Sequence, residues 1–302
     1  MFILEEQKKN LIVKRFGSSF TNMVEYKVNY AINTWKISEL DLIDSYSSNL
    51  VFRGYSSIYG AVVIKLCVNE NEFENEVNAL KLFNNDFFCS LFDFDHENLL
   101  LLEEKITPGN QLFENKDIKI QLEVFIDLYN KIHKNKYNNT YKNDVSYKNW
   151  IFDICDYMAN LEEWKELSIH MQRAKMLFIK ILDDYPQDTV IHGDLHYYNI
   201  LKSEVSYKLI DPKGVIGNRI FDIPRFVLNI YIDSDNNIDI LDYVIHKLSK
   251  QLQLSEKLLM QLLYIESSMA ICWMVQDGMS IDNKLELLEN LNILYRHYSK
   301  FF

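Results

Sequence analysis

A polar segment between two apolar runs carries residues whose types and spacing suit phosphoryl transfer. It consists of His192-Gly193-Asp194-Leu195-His196, and Asn199 follows at the fifth position after Asp194. A second aspartate, Asp211, ends the next apolar run. In phosphoryl transfer one carboxylate orients the attacking hydroxyl and accepts its proton, while an asparagine and a further aspartate hold the Mg²⁺ ions that bridge the nucleotide phosphates. The reaction depends mainly on positioning and charge neutralisation, so these three side chains form a sufficient core.

A competing interpretation is a polar turn between two strands, in which Asp194 and Asn199 act only as turn formers. We favour the catalytic interpretation because Asp211 follows at hairpin distance and because a strand-rich region precedes the segment.

A lysine ends an apolar strand in that upstream region. Lys65 closes the run Ala61-Val62-Val63-Ile64, and a buried strand tolerates such a cation only when it is paired. The helix after it offers three glutamates, of which Glu76 shares a face with Val77 and Leu80. Glu76 is therefore the predicted ion-pair partner, the alternative being a Lys65 that points to solvent from an edge strand.

Apolar periodicity predicts the elements that must position these residues. Residues 1–34 have helical spacing, and alternating patterns then predict five strands with a helix over 70–83 between the third and the fourth. The predicted strands are 36–43, 49–55, 61–67, 90–94 and 99–106. Beyond Thr107-Pro108-Gly109, helical periods cover 116–133, 145–161, 167–184 and four segments from Asp222 onward, with a polar loop over 134–143.

These patterns predict an α+β protein in two parts. Residues 1–106, including a helical extension over 1–34, would form an N-terminal nucleotide-binding lobe with a five-stranded antiparallel sheet and one helix. Residues 107–302 would form a larger, mostly helical lobe for catalysis and substrate binding. A cleft between two lobes is a usual place for a ligand.

Composition restricts the function classes further. The 302 residues carry 43 acidic against 32 basic side chains, a net charge of −11, which argues against a nucleic-acid partner and favours cationic or metal-bridged small molecules. The four cysteines are widely spaced, so we expect reduced thiols rather than disulfides or zinc. No signal peptide and no run of about 20 apolar residues is evident, which predicts a cytoplasmic protein without membrane contact or an obligate protein partner.

The motifs resemble those of a known family. His192-Gly193-Asp194-Leu195-His196 with Asn199, and Ile210-Asp211-Pro212-Lys213-Gly214, are similar to the aminoglycoside phosphotransferase superfamily within the protein-kinase-like fold. The Asp-Pro-Lys-Gly form, in place of the protein-kinase Asp-Phe-Gly, resembles the streptomycin-kinase branch of the aminoglycoside/hydroxyurea resistance kinases. The similarity extends in order from about Trp35 to Gly278 and is strongest over 190–225.

The resemblance implies a bilobal fold and a set of roles for residues at matching positions. Asp194 would be the catalytic base, Asn199 and Asp211 would hold Mg²⁺, and Lys65, paired with Glu76, would contact the α- and β-phosphates of ATP. The backbone of residues 103–106, including Glu104 and Ile106, would meet the adenine, and Ser47 and Ser48 would belong to the loop over the phosphates. His192 and Asp222 would be structural.

Two departures from the protein kinases concern the substrate. Residues 45–49 contain no glycine, and the resemblance to antibiotic kinases, which often have serine-containing loops there, accounts for this. The link from Asp211 to Asp222 has no room for a long activation segment. A small acceptor is therefore favoured over a protein. We expect a streptomycin-like aminoglycoside bound by Glu266 and Asp277, with a choline-, homoserine- or hydroxyurea-type acceptor as the alternative. A nucleotide-binding pseudokinase is disfavoured because Lys65, Asp194, Asn199 and Asp211 are all present.

Overall fold

The fold is described from a computed structural model, which covers residues 2–43, 48–134, 145–235, 237–278 and 284–299. Its helices are α1 (Glu6–Phe16), α2 (Ser18–Trp35), α3 (Glu70–Leu82), α4 (Ile118–Ile132), α5 (Tyr147–Ala159), α6 (Lys165–Leu182), α7 (Pro224–Asp233), α8 (Ile238–Leu252), α9 (Glu256–Gln276) and α10 (Lys284–Ser299). Its strands are β1 (Ile37–Leu42), β2 (Asn49–Ser56), β3 (Gly60–Cys67), β4 (Leu91–Asp95), β5 (Leu100–Glu104), β6 (Pro108–Gln111), β7 (Thr189–Ile191), β8 (Ile200–Ser203), β9 (Tyr207–Leu209) and β10 (Val215–Gly217).

The largest sheet has five antiparallel strands in the order β1-β2-β3-β5-β4. Two small sheets have the orders β6-β8-β9 and β10-β7. The five predicted strands, the helix between the third and the fourth, and the mostly helical remainder are thus confirmed. One difference is at the end of the fifth strand, which stops at Glu104 rather than Ile106, and a separate short strand begins at Pro108. Part of the predicted polar loop, 135–143, lies outside the described residues.

The chain divides into two compact units, residues 1–110 with 201–211, and residues 111–200 with 212–302. The predicted division into lobes with separate roles stays a prediction.

In the first unit, α2 covers the large sheet with one apolar face. Val24, Val28, Ala31 and Trp35 are spaced at helical intervals and are all buried. Each buried valine contributes about 1.5–3 kcal/mol by leaving water. The helix α3, which contacts β3, β4 and β5, starts at an N-cap, Asn69, whose side chain accepts from two backbone N–H groups.

In the second unit, α9 has twelve buried residues, more than any other helix among the described residues, and it packs against α5, α6, α7, α8 and α10. Among the described residues, α9 is also the one helix that is long and apolar enough to cross a membrane. Its mean hydropathy over 18 residues is 1.5. The expectation that no run approaches that length was therefore wrong. However, 67% of that segment is buried within the protein, as in the central helix of a globular core.

Candidate active site

Asp222 fixes the backbone of the loop that carries Asp194. Its Oδ2 accepts the His192 N–H at 2.9 Å and its Oδ1 accepts the Gly193 N–H at 2.7 Å. His133 Nε2 lies 2.9 Å from the same Oδ2, and Asp222 is only 1% exposed. These contacts hold the backbone of the loop in place, and the structural role predicted for Asp222 stays a prediction.

His192 supports the loop from the inside. The side chain is fully buried, its Nδ1 accepts the Asp194 N–H at 3.2 Å, and its backbone oxygen accepts the Lys213 N–H at 2.7 Å. Because Nδ1 is an acceptor, the neutral ring carries its proton on Nε2. The position therefore needs a buried acceptor at a fixed distance from the backbone.

An imidazole and a guanidinium lie close to the Asp194 carboxylate. His196 Nε2 lies 3.5 Å and Arg225 Nε lies 3.4 Å from its Oδ1. Burial raises the pKa of Asp194, but His196, Arg225 and Lys213 outweigh burial and hold that pKa well below its usual value. The carboxylate is therefore ionised, and its side chain keeps 26% exposure.

Asn199 is oriented by the same loop. Its Nδ2 donates to the backbone oxygen of Asp194 at 3.0 Å, and a 3-10 turn over Tyr197–Asn199 places it there. Within the described residues, the amide oxygen Oδ1 accepts no hydrogen bond. An amide oxygen held in this way fits the oxygen-ligand preference of Mg²⁺.

In the first unit, one buried lysine meets three carboxylates. Lys65 Nζ lies 2.5 Å from Glu76 Oε1 and 3.3 Å from Glu103 Oε1, and it also contacts Asp211 Oδ1. Burial lowers the pKa of Lys65, but Asp211, Glu103 and Glu76 outweigh it and raise that pKa above its ordinary value. Burial, against the attraction of Lys65, raises the pKa of Glu103.

Asp211 is the member of this cluster best placed to hold a cation. Its side chain is 37% exposed, against 9% for Glu76 and 3% for Glu103. Its backbone has a φ of 57°, in the left-handed region that a non-glycine residue adopts only when its surroundings impose it. Carboxylate oxygens of Glu76, Glu103 and Asp211 lie within 4.8 Å of one another, and Lys65 Nζ lies among them, so of the three only the exposed Asp211 suits a hard cation such as Mg²⁺.

The predicted adenine and phosphate contacts lie near β5 and β2. The Glu104 carboxylate is bound by Lys208 at 2.7 Å and by Ser90 at 3.1 Å, and the Glu104 N–H donates to the Ser90 backbone oxygen at 2.9 Å, so neither group is left for a base. In the described part of the chain the Ile106 N–H makes no hydrogen bond, which suits a residue that meets an adenine edge. Ser48 is exposed before β2, and Ser47 lies outside the described residues.

The two predicted acceptor carboxylates differ in their accessibility. Asp277 is exposed directly after α9. Glu266 is 2% exposed, and both its oxygens are engaged, one by Arg225 Nε at 2.8 Å and one by the Tyr147 hydroxyl at 2.6 Å. The structure therefore does not present Glu266 to a substrate as predicted, because a helix pattern does not show which polar side chain is paired inside.

Three residues at these clusters were missed. The sequence does contain a signal for Glu103, because it is a carboxylate at the end of an apolar strand. Lys65 was recognised by the same kind of signal, a cation in an apolar strand. No sequence signal indicates Arg225 or His133, because their contacts with Asp194 and Asp222 form only in the folded chain.

The five-stranded antiparallel sheet and the mostly helical remainder are those of a kinase-like fold. The sequence profile of the aminoglycoside/hydroxyurea antibiotic resistance kinases matches residues 34–278, and the chain belongs to that family. A methylthioribose kinase from Bacillus pumilus is 32% identical over 72 residues, but the match spans only 24% of this chain and 17% of that relative.

Solved structures share the fold at low identity. The choline kinase LicA from Streptococcus pneumoniae superposes with a TM-score of 0.67 and 13% identity, covering 92% of this chain and 99% of that one. A thermostable mutant of the aminoglycoside phosphotransferase APH(4)-Ia gives 0.63 and 13%, covering 89% and 98%. Another structure of such a mutant is a ternary complex with ADP and hygromycin B, with a TM-score of 0.61, 12% identity and coverage of 89% and 97%.

Proposed function

We propose that this protein transfers the γ-phosphate of ATP, with Mg²⁺, to a hydroxyl of a small molecule, and that the acceptor is an aminoglycoside of the streptomycin type. The observation that carries the proposal is the ionised Asp194, held in a loop whose backbone Asp222 fixes and whose Asn199 amide oxygen is left for a cation.

Asp194 would act on the acceptor. The carboxylate orients the attacking hydroxyl and takes its proton as the new O–P bond forms and the bond from the γ-phosphorus to the bridging oxygen of ADP breaks. A strongly ionised carboxylate is a weak base, so its main contribution is to orient the hydroxyl, with proton transfer late in the reaction.

Lys65 would act on the nucleotide. Glu76 and Glu103 hold its ammonium group in place, and the exposed Asp211 is the partner that can exchange Lys65 for a metal. Lys65 would then contact the α- and β-phosphates, and Asp211 and Asn199 would hold Mg²⁺. When bound, the ion neutralises charge on the phosphates.

The aminoglycoside assignment is supported by the family to which the chain belongs, by the net charge of −11 and by the exposed carboxylate of Asp277. A choline-, homoserine- or hydroxyurea-type acceptor is the alternative. The family, which includes hydroxyurea resistance kinases, supports it, and so does the choline kinase among the structural relatives.

The test measures ADP release from ATP and Mg²⁺ in the presence of streptomycin, other aminoglycosides, hydroxyurea, choline and homoserine, with phosphate on the product verified by mass spectrometry. Asp194→Ala should lower turnover on the order of 10²-fold or more while ATP affinity is retained. Asp183→Ala removes an exposed aspartate at the end of α6 and is the matched control.

Turnover with choline or homoserine but no aminoglycoside would favour the alternative acceptor. An Asp194→Ala variant as fast as the parent would contradict the catalytic assignment. ATP binding without turnover on any acceptor would favour the pseudokinase.

A further inference from the structure

A chain of buried polar groups from three helices ends at the catalytic carboxylate. Arg225, in the first turn of α7, has its Nε 2.8 Å from Glu266 Oε1 and 3.4 Å from Asp194 Oδ1. Tyr147, the first residue of α5, donates its hydroxyl to Glu266 Oε2 at 2.6 Å. Glu266 itself comes from the middle of α9. One guanidinium group thus lies between a buried carboxylate and the proposed catalytic one.

The stability of the core does not account for this arrangement. Glu266 has a side-chain exposure of 3% and stands among the apolar residues of α9. Removing two charges from water costs several kcal/mol for each ion, and an apolar pair of similar size is often equally stable. A carboxylate at this position therefore calls for an explanation other than packing.

The geometry leaves the guanidinium little freedom. α7 begins at Pro224, which fixes the backbone next to Arg225. The Arg225 Cζ lies 5.7 Å from the ring centroid of Trp273, and Trp150 packs edge-on against that ring. The planar group is held by an ion pair, by an aromatic face and by its own helix.

We propose that Arg225, held by Glu266 and Tyr147, is a positioning residue that fixes the Asp194 carboxylate in the orientation needed to accept the proton of the acceptor. This inference rests on the proposed function. It makes Glu266 an internal support of the reaction, acting only through Arg225, and not a ligand of the acceptor.

The expected effect is on turnover rather than on nucleotide binding. Arg225→Met should lower kcat by about 10-fold to 100-fold, because a misplaced catalytic group costs rate, while the KM for ATP changes by less than about twofold. Arg225→Lys should recover part of the loss, since it restores the charge but not the planar group.

Tyr147→Phe tests the group farthest from Asp194 in this series of polar contacts, and it does so without removing a charge. Loss of one hydrogen bond to Glu266 should lower kcat by about threefold to tenfold. Tyr264→Phe is the matched control, because the hydroxyl of Tyr264 is equally buried on α9 and contacts His170 Nδ1 at 2.8 Å instead. The control should lose a similar amount of thermal stability and keep the parent kcat.

A double-mutant cycle tests whether Glu266 acts through Arg225. Glu266→Gln should lower kcat in the parent and have no further effect in Arg225→Met. The inference is overturned if Arg225→Met keeps the parent kcat, or if Tyr147→Phe and Tyr264→Phe lose equal activity. It is also overturned if the losses of kcat caused by Glu266→Gln and by Arg225→Met multiply in the double variant. Should the parent phosphorylate no acceptor, the proposed function fails and the inference falls with it. Activity of the parent that Asp194→Ala abolishes and Arg225→Met does not affect would refute the inference alone.

Discussion

At the scale of single residues, the lysine cluster of the first unit shows how one cation balances several carboxylates. Lys65 faces Glu76, Glu103 and Asp211 with side-chain exposure of 6%, and burial of such a group is tolerable only because its partners compensate the lost hydration. A local helix pattern was enough to nominate Glu76. Glu103 and Asp211 come from other strands and loops, and only the fold brings them to the same ammonium group.

We predict that Lys65→Met lowers kcat/KM for ATP on the order of 10²-fold, because the change removes a fixed positive group that would meet the phosphates in the proposed reaction. The same change leaves buried carboxylates without their cation, which costs about 3–5 kcal/mol of unfolding free energy. Both quantities are accessible by steady-state kinetics and by denaturant titration.

The double variant Lys65→Met/Glu76→Gln separates these effects. Neutralising Glu76 removes one of the uncompensated buried charges, so thermal stability should recover in part while kcat/KM for ATP stays low. Recovery of activity together with stability would show that Lys65 is structural only.

At the scale of elements, the loop after β7 depends on a glycine. Gly193 has a φ of 82°, and a Cβ there would lie 2.8 Å from Val215 Cγ2 of β10 and 3.2 Å from the Trp150 ring. Both the backbone conformation and the space behind it exclude a larger residue. Without a side chain at Gly193, the loop can pass close to β10, and its N–H groups can reach the Asp222 carboxylate.

Gly193→Ala should lower both kcat and the melting temperature. Gly60→Ala is the matched control, because Gly60 also has a φ of 82° but nothing lies within 4 Å of its Cβ position. Backbone strain of about 1–2 kcal/mol is common to both variants. Differential scanning fluorimetry should find Gly193→Ala the less stable, and equal melting temperatures would contradict the steric argument.

At the scale of the whole molecule, the chain returns to its first unit with residues 201–211. Leu209 exchanges backbone hydrogen bonds with Phe87 and Cys89 at 2.8 and 2.9 Å, and Lys208 binds Glu104 of β5 at 2.7 Å. This return carries Asp211 to Lys65. Sequence order alone would have left the segment with the helical part that surrounds it.

The ion pair between Lys208 and Glu104 predicts a dependence of stability on pH. Burial raises the pKa of Glu104, but Lys208 and Ser90 outweigh it, so that pKa lies below its ordinary 4.5. A carboxyl whose pKa is depressed on folding stabilises the protein above the unfolded pKa and loses this contribution as the pH falls through the folded one.

Glu104→Gln should therefore be less stable than the parent at neutral pH, and the difference should be smaller at about pH 3, below the ordinary pKa of a glutamate. Urea titrations at both pH values measure the difference. Lys208→Gln should reduce the dependence in the same way, and a stability gap that does not change with pH would refute the argument.

The sequence by itself determined the features that depend on neighbours in the chain. Apolar periods gave the five strands and the helices, because burial of one face follows from spacing, and residue types gave Asp194, Asn199, Asp211 and Lys65 as candidates for phosphoryl transfer. The tertiary structure decided what depends on distant partners. It enclosed Glu266 with Arg225 and Tyr147, brought His133 to Asp222, and placed three carboxylates around one lysine. Burial and pairing of charges arise from contacts between remote segments, and no local pattern encodes them.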